Sequence, residues 1–283
     1  MALPSYAGSL ETAWYYGFRV ICAFIFIFLI APILVIIPLS FNVEPYFTFT
    51  QGMLTFDPEA YSLRWYEDFI TNTQWTHSIQ NSFVIAIAAT ILATVLGTLA
   101  ALGLSNANMP YRSLAMGLLI SPMIVPLIIS AAGMYFFYSN IGLDQTYLGI
   151  ILAHTALGTP FVVITVTATL VGFDQSLNRA SANLGANPTI TFFKVTMPLI
   201  LPGVISGALF AFITSFDEVV VVLFLAGFDQ RTIPRQMWSG IREQISPTIL
   251  AVATILVMIS IALLATLELL RRRGERLRGL SPG

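Results

Sequence analysis

Six long stretches of apolar residues constrain this chain more than any other feature of its sequence. A transmembrane helix needs about 20 consecutive, predominantly apolar residues. The strands of a membrane β-barrel would instead alternate apolar and polar residues over about 10 positions. We therefore predict an all-α integral membrane protein with helical spans at about 18–41, 79–104, 112–138, 147–171, 201–226 and 247–270. Pro122 and Pro126 predict a kink within the third span.

The composition agrees with a protein that uses lipid as part of its solvent. Hydrophobic residues make up 57% of the 283 residues and charged residues 10%, whereas soluble domains average about 25% charged residues. The net charge of −1 gives no electrostatic reason to expect nucleic acid as a partner. Because Cys22 is the single cysteine, a disulfide within the chain and a thiolate metal site are excluded. We expect His77 and His154 to pack or to hydrogen-bond, and we expect no metal and no cofactor.

The distribution of arginine and lysine predicts the side of the membrane for each connecting segment, because cytoplasmic loops carry an excess of these residues. Five arginines follow the last predicted span, and segment 172–200 carries Arg179 and Lys194 against one acid. Segment 42–78 is acidic. We therefore predict six spans with both termini in the cytoplasm. Segment 227–246 agrees less well, because it would place three arginines outside: Arg231, Arg235 and Arg242.

Segment 172–200 is predicted to form a short helical hairpin between the fourth and fifth spans. Gly185 suits the left-handed position just past the end of the first helix. We expect the second helix to run through the two phenylalanines to Pro198. Capping residues are present before both helices: Asp174 or Ser176 for the first, and Asn187 followed by Pro188 for the second.

The spacing within this hairpin resembles the EAA loop of type I ABC importer permeases, the MetI-like inner-membrane components of binding-protein-dependent transporters. The family pattern is Glu-Ala-Ala, three residues, Gly, nine residues, Ile, one residue and Leu-Pro. The residues at these positions in this chain are Arg179-Ala180-Ser181, Gly185, Val195 and Met197-Pro198. The spacing is kept, and the glutamate position carries Arg179 instead.

The resemblance implies that 1–283 is a single permease domain of six transmembrane helices, in the bacterial inner (plasma) membrane. The hairpin 172–200 would dock on a separate ABC ATPase, present as a homodimer. A second permease subunit would complete a heterodimer, and a periplasmic substrate-binding protein would deliver the solute. The residues implied in ATPase coupling are Arg179, Ala180, Ser181, Asn183, Leu184, Gly185, Ala186, Asn187, Pro188 and Phe192.

Several other segments are similar to the spermidine/putrescine branch of this family. This similarity implies a polyamine substrate; related permeases for amino-acid derivatives, opines or iron remain the alternative. The segments are Trp65-Tyr66, Asn81-Ser82, Gly97-Thr98-Leu99-Ala100-Ala101, Ala153-His154-Thr155, Ser215-Phe216-Asp217-Glu218 and Thr232-Ile233-Pro234.

Asp217 and Glu218 are the candidate substrate contacts, because they are acids within a predicted span. Ionisable groups at such depth usually face a bundle interior or water. The alternatives are a cation-attracting pair, a structural hydrogen-bonding pair, or one residue of each kind. Tyr135 and Tyr138 could hold an alkylammonium group by cation-π attraction, or could belong to an aromatic belt at the outer surface.

The chain lacks the motifs of an enzyme that hydrolyses nucleotide. It has no Gly-rich phosphate loop ending in Lys-Ser or Lys-Thr, and no nucleophile–base set can be recognised. We therefore predict a transport subunit without catalytic residues. A self-contained secondary carrier would use the two acids as proton or cation sites. A membrane-embedded enzyme would need a cluster of histidines and acids, which the sequence does not offer.

Overall fold

The computed structural model describes residues 8–106, 109–243 and 246–277. Their secondary structure is helical apart from an isolated β-bridge between Asn42 and Tyr61. In chain order the α-helices are α1 (Ser9–Leu39), α2 (Gln51–Leu54), α3 (Arg64–Thr71), α4 (Thr73–Leu104), α5 (Arg112–Ile124), α6 (Leu127–Ile141), α7 (Tyr147–Val171), α8 (Ser176–Asn183), α9 (Pro188–Thr191), α10 (Met197–Phe216), α11 (Val220–Leu225), α12 (Ile233–Glu243) and α13 (Thr248–Leu277). A 3₁₀ turn occupies Pro58–Ala60.

The prediction of an all-α membrane fold is confirmed. Among the described residues, five helical stretches are long and apolar enough to cross a membrane by themselves. Helices α5 and α6 together form a sixth candidate span, bent by 102°. The five stretches are Ser9–Leu39, Thr73–Leu104, Tyr147–Val171, Pro188–Phe216 and Thr248–Thr266.

The third predicted span is two helices rather than one kinked helix. Val125 adopts an extended conformation between α5 and α6, with φ −69° and ψ 133°. The ring of Pro126 disfavours helical geometry at the residue before it. The predicted break is therefore present, and the two helices together still form one candidate span.

The fifth predicted span, 201–226, also differs from the structure. Helix α10 begins at Met197 and ends at Phe216, and α11 begins at Val220. The carboxylate of Glu218 accepts a hydrogen bond of 2.9 Å from the backbone N–H of Val221, which satisfies a donor at the start of α11. This cap allows the helix to break within an apolar stretch.

The boundaries of the first, second and sixth spans extend beyond the predictions. Helix α1 begins in the polar segment before Arg19, where Glu11 accepts a hydrogen bond from the backbone N–H of Gly8. Helix α4 begins at Thr73 because Asn72 caps it. Helix α13 continues to Leu277. Arg278, the last arginine of the predicted inside cluster, lies outside the described residues.

The chain divides into two compact units: Met1–Thr71 with Gln244–Val257, and Asn72–Glu243 with Met258–Gly283. In the first unit, the side chains of Trp65 and Tyr66 on α3 hold the segment after α1. The indole N–H of Trp65 donates to the carbonyl of Asn42 over 2.7 Å, and the hydroxyls of Tyr66 and Ser40 are 2.6 Å apart. The single permease domain 1–283 stays a prediction.

Small residues allow α4, α7 and α10 of the second unit to pack closely. A Cβ atom at Gly97 of α4 would lie 2.6 Å from the Cβ of Val162 on α7, and one at Gly207 of α10 would lie 2.8 Å from the Val162 Cα. Both distances are shorter than any normal carbon–carbon contact. The three helices therefore meet at Val162, which is fully buried.

Side chains of α4 hold the segment between α11 and α12 to the same bundle, through hydrogen bonds to the backbone of the segment. The side-chain amide of Asn81 donates to the carbonyls of Asp229 and Arg231, at 2.7 and 2.8 Å. The hydroxyl of Ser82 accepts from the N–H of Ile233 over 2.8 Å. Two separate sequence segments of the polyamine-like pattern, one at Asn81-Ser82 and one near residue 233, thus contact each other.

Two of the three arginines that disagreed with the predicted topology make local contacts in this segment. Arg235 donates to the carbonyls of Ala226 and Gly227, at 2.6 and 2.8 Å. The guanidinium of Arg231 lies 4.5 Å from the ring centre of Phe228. These two cations stabilise a loop, so they are weak indicators of which side of the membrane the loop occupies.

The close approach at Val162 predicts a large difference between two glycine substitutions on one helix. We expect Gly97→Ala to destabilise the chain by about 1–3 kcal/mol, because the added methyl overpacks the contact with α7. Gly103→Ala is the control, since a Cβ at Gly103 meets nothing within 4 Å. Thermal unfolding of both variants in detergent measures the difference, and equal melting temperatures would contradict the packing.

Candidate functional site

The first helix of the hairpin, α8, begins at a cap supplied by Asp174. Its carboxylate accepts hydrogen bonds of 2.8 Å from the backbone N–H of Ser176 and 2.7 Å from the Ser176 hydroxyl. These bonds hold the pKa of Asp174 below its ordinary value, with a smaller contribution from Arg179. Asp174 thus satisfies the backbone donor of the first residue of α8, while Gln175 occupies the cap position without a side-chain bond.

Gly185 ends α8 in the predicted left-handed conformation, with φ +82°. The N–H of Gly185 donates to the carbonyl of Ala182, and the N–H of Ala186 donates to that of Ser181. This pair of bonds is a Schellman motif, in which the position after the helix end favours glycine. The turn of the hairpin is therefore set by residues that the sequence pattern singled out.

The second half of the hairpin begins as predicted but does not end at Pro198. Asn187 accepts a hydrogen bond of 2.8 Å from the N–H of Ile190, and Pro188 is the first residue of α9. A π-helical turn, Phe192–Thr196, then connects α9 to α10 without a break. Pro198 is the second residue of α10, directly after the π turn, and the chain remains helical through it.

Two hydroxyl contacts join the halves of the hairpin. The hydroxyls of Ser181 and Thr191 are 2.9 Å apart, and the Thr196 hydroxyl donates to the side chain of Asn178 over 3.2 Å. Ser181 is buried as a result. A cavity of ≈ 340 Å³ lies between the two halves, with Phe192 in its lining.

Most of the predicted coupling residues lie on the surface of the hairpin. Leu184 is 88% exposed, and Phe193, which follows the predicted Phe192, is 62% exposed. Ser181 is buried, and Ala186 and Phe192 are half-buried, so these three support the hairpin from within. The exposed members of the predicted set are Arg179, Ala180, Asn183, Leu184, Gly185, Asn187 and Pro188.

The two candidate substrate acids occupy different environments at the break after α10. Glu218 is buried, at 7% exposed, and its carboxylate caps α11. Asp217 is exposed and is the C-cap residue of α10. The sequence analysis placed both acids on one continuous helix, which was wrong. The structure therefore separates the two acids into an exposed carboxylate at Asp217 and a buried, hydrogen-bonded one at Glu218.

The residues immediately before Asp217 are fixed to neighbouring helices. The hydroxyl of Ser215 lies 2.7 Å from Nδ1 of His154 on α7. The ring of Phe216 packs against those of Phe83 on α4, at 5.2 Å, and Phe212, at 5.4 Å. Asp217 is therefore an exposed carboxylate on a rigid support. His154 is a hydrogen-bonding histidine, as predicted.

The two candidate tyrosines of α6 also differ in their exposure. Tyr138 is half-buried and packs against the apolar cluster that contains Val221 and Val222 of α11. Tyr135 is 37% exposed and makes an edge contact with Phe136 at 5.7 Å. The structure thus brings Tyr138 to the helix that follows the two acids. The described contacts do not join either tyrosine to Asp217 or Glu218.

The contact between His154 and Ser215 was missed by sequence reasoning. The two residues are 61 positions apart, on different spans, and nothing in the local pattern of either one indicates the other. The sequence signal that could have related them is that both lie in segments similar to the spermidine/putrescine branch.

Comparison with known proteins agrees with this architecture. A family model described as "Binding-protein-dependent transport system inner membrane component" matches residues 93–275, which include the hairpin and the break after α10. The chain belongs to this family. It is a multi-pass membrane permease subunit of the ABC importer class.

Two relatives within this family match most of the chain. The spermidine/putrescine transport system permease protein PotC of Haemophilus influenzae is 30% identical over 256 residues, which cover 89% of this chain and 96% of PotC. The putrescine transport system permease protein PotI of Escherichia coli is 31% identical over 238 residues, or 82% of each chain.

Two solved transporter structures share the fold of this chain. A bacterial ABC transporter for import of the acidic polysaccharide alginate covers 95% of this chain and 99% of its own, with a TM-score of 0.69 at 14% identity. The MetNI methionine ABC transporter covers 73% and 96%, with a TM-score of 0.54 at 18% identity.

The left-handed turn in the hairpin predicts a selective effect of valine. We expect Gly185→Val to strain the turn by about 1–2 kcal/mol, and to lower the solute imported per ATP hydrolysed by the assembled transporter. Gly172→Val is the control, because Gly172 has φ −88° and a Cβ there would meet its nearest neighbour at 3.9 Å. Normal coupling in Gly185→Val would contradict the coupling role that the sequence resemblance implies for the hairpin.

Proposed function

We propose that this chain is one permease subunit of an ATP-driven importer for small cationic solutes of the polyamine class. The observation that carries the proposal is the hairpin between α7 and α10, whose turn is fixed at Gly185 and leaves Leu184 and Phe193 exposed. The polyamine assignment is supported by PotC and PotI, whose names specify spermidine and putrescine. The exposed carboxylate of Asp217 supports a cationic solute.

The partners follow from this role. Two copies of a separate ABC ATPase supply the energy, and one of them receives the hairpin. A second permease subunit completes the pathway as a heterodimer. A periplasmic binding protein delivers the solute, in agreement with a similar alginate transporter that was solved in complex with a periplasmic protein. The chain itself contributes no catalytic residue.

The orientation follows from placing the hairpin beside the ATPase. Both termini are then cytoplasmic in a bacterial inner membrane, and the segment between α11 and α12 lies on the periplasmic side. The bonds of Arg235 to the carbonyls of Ala226 and Gly227 give this arginine a structural role, which weakens the objection to this orientation. Nucleotide-driven movement of the hairpin would switch the side to which the spans open.

The proposed orientation predicts which partner each side of the chain contacts. In a Cys22→Ala background, we expect a cysteine at Leu184 to cross-link to the ATPase and one at Phe228 to cross-link to the binding protein. Both side chains are well exposed, at 88% and 68%. Mass spectrometry of the cross-linked products reads the result. The opposite pairing would mean that the topology is inverted.

The different environments of the two acids predict different effects of removing their charge. Asp217→Asn should lower uptake of putrescine and spermidine per assembled complex by about tenfold, which corresponds to 1.4 kcal/mol of lost attraction. Glu218→Gln should change uptake far less, because the glutamine oxygen can still accept from the N–H of Val221.

Uptake of an uncharged solute and the amount of complex pulled down by the ATPase are the controls for both variants. Full polyamine uptake by Asp217→Asn would end the claim that Asp217 selects cations. Loss of assembled complex in Asp217→Asn would instead make this acid structural. Uptake driven by an ion gradient without the ATPase would favour a secondary carrier.

A further inference from the structure

The hydrogen bond between His154 and Ser215 is a polar contact within the packed helices. His154 is 1% exposed and Ser215 is 5% exposed, and the Nδ1-to-Oγ distance is 2.7 Å. The flanking residue Ala153 is fully buried in the apolar cluster that includes Ile85 and Val221. A hydrogen bond in such surroundings is strong, and removing one partner leaves the other unsatisfied.

This hydrogen bond lies next to the break after α10. Ser215 lies in the last turn of α10, two residues before the exposed Asp217. Phe216 is held by ring contacts, and Glu218 is held by its bond to Val221. His154 therefore supplies the polar tie between α7 and the end of α10.

We propose that His154 is a positioning residue, which sets the place of the Asp217 carboxylate in the substrate path through Ser215. This inference rests on the proposed function, since it gives Asp217 the role of a cation contact. His154 itself does not touch the solute. Its effect on transport is exerted through the position of the end of α10.

The two ring nitrogens of His154 differ in hydrogen bonding, which allows the bond to Ser215 to be tested by substitution. Nε2 is buried and has no hydrogen-bond partner among the described residues, so the contact with Ser215 is made by Nδ1. The amide of an asparagine can occupy the place of Nδ1, whereas the amide of a glutamine reaches the place of Nε2. His154→Asn can therefore keep the bond to Ser215, and His154→Gln cannot.

The experiment measures polyamine uptake per assembled complex, in vesicles that contain the complete transporter. We expect His154→Gln and Ser215→Ala each to lower uptake by about tenfold. The double variant should be no worse than either single one, because both remove the same bond. His154→Asn and Ser215→Thr should stay near the parent level. Val163→Ala, on the same helix and fully buried, is the control for a simple loss of packing.

The positioning role is overturned if His154→Asn is as impaired as His154→Gln, or if the losses of the double variant multiply. It is also overturned if Val163→Ala shows the same loss of uptake per complex.

A second experiment measures the effect of Asp217→Asn on uptake in the parent and in His154→Gln. A much smaller effect in His154→Gln supports the proposal, because the carboxylate is already displaced.

These measurements separate the two proposals. If Asp217→Asn leaves uptake unchanged in the parent, the cation-contact role of Asp217 is wrong and the positioning role is lost with it. If Asp217→Asn lowers uptake by the same factor in both backgrounds, Asp217 keeps its role and the assignment of His154 is wrong.

Discussion

Backbone hydrogen bonding in an apolar solvent is the constraint on which this structure depends. A membrane offers no water to backbone N–H and C=O groups, so a helix can break inside it only where the protein supplies partners. The break after α10 meets this requirement because Glu218 accepts from the N–H of Val221. The backbone of the segment from Ala226 to Ile233 is likewise bonded by the side chains of Asn81, Ser82 and Arg235.

These ties make the two candidate sites rigid at opposite ends of one helix. At its start, α10 continues from the hairpin through the π turn Phe192–Thr196, so the proposed movement of the hairpin would reach α10 through continuous helix. At its end, α10 presents Asp217 from a support fixed by Ser215 and Phe216. Close packing at Val162 joins this helix to α4 and α7. A shift at the hairpin can therefore reach the acid without a flexible element between them.

The parts of this architecture that sequence could predict are those with local causes. The apolar lengths predicted the spans, and the short-range capping preferences of Asp174, Gly185 and Asn187 predicted the hairpin. The break at residues 217–219 was not predicted, because the valines that follow it continue the apolar stretch and mask the end of the helix. The separate roles of Asp217 and Glu218 depend on that break.

Contacts between spans could not be predicted from a single sequence, because they depend on the register of one helix against another.

The central claim is that this chain imports a cationic solute only as part of an ATP-driven complex. The most direct measurement is polyamine uptake by reconstituted vesicles that contain both permease subunits, the ATPase and the binding protein. We expect uptake only with ATP on the ATPase side and with the binding protein on the other. Uptake by the permease subunits alone, driven by an ion gradient, would contradict this account.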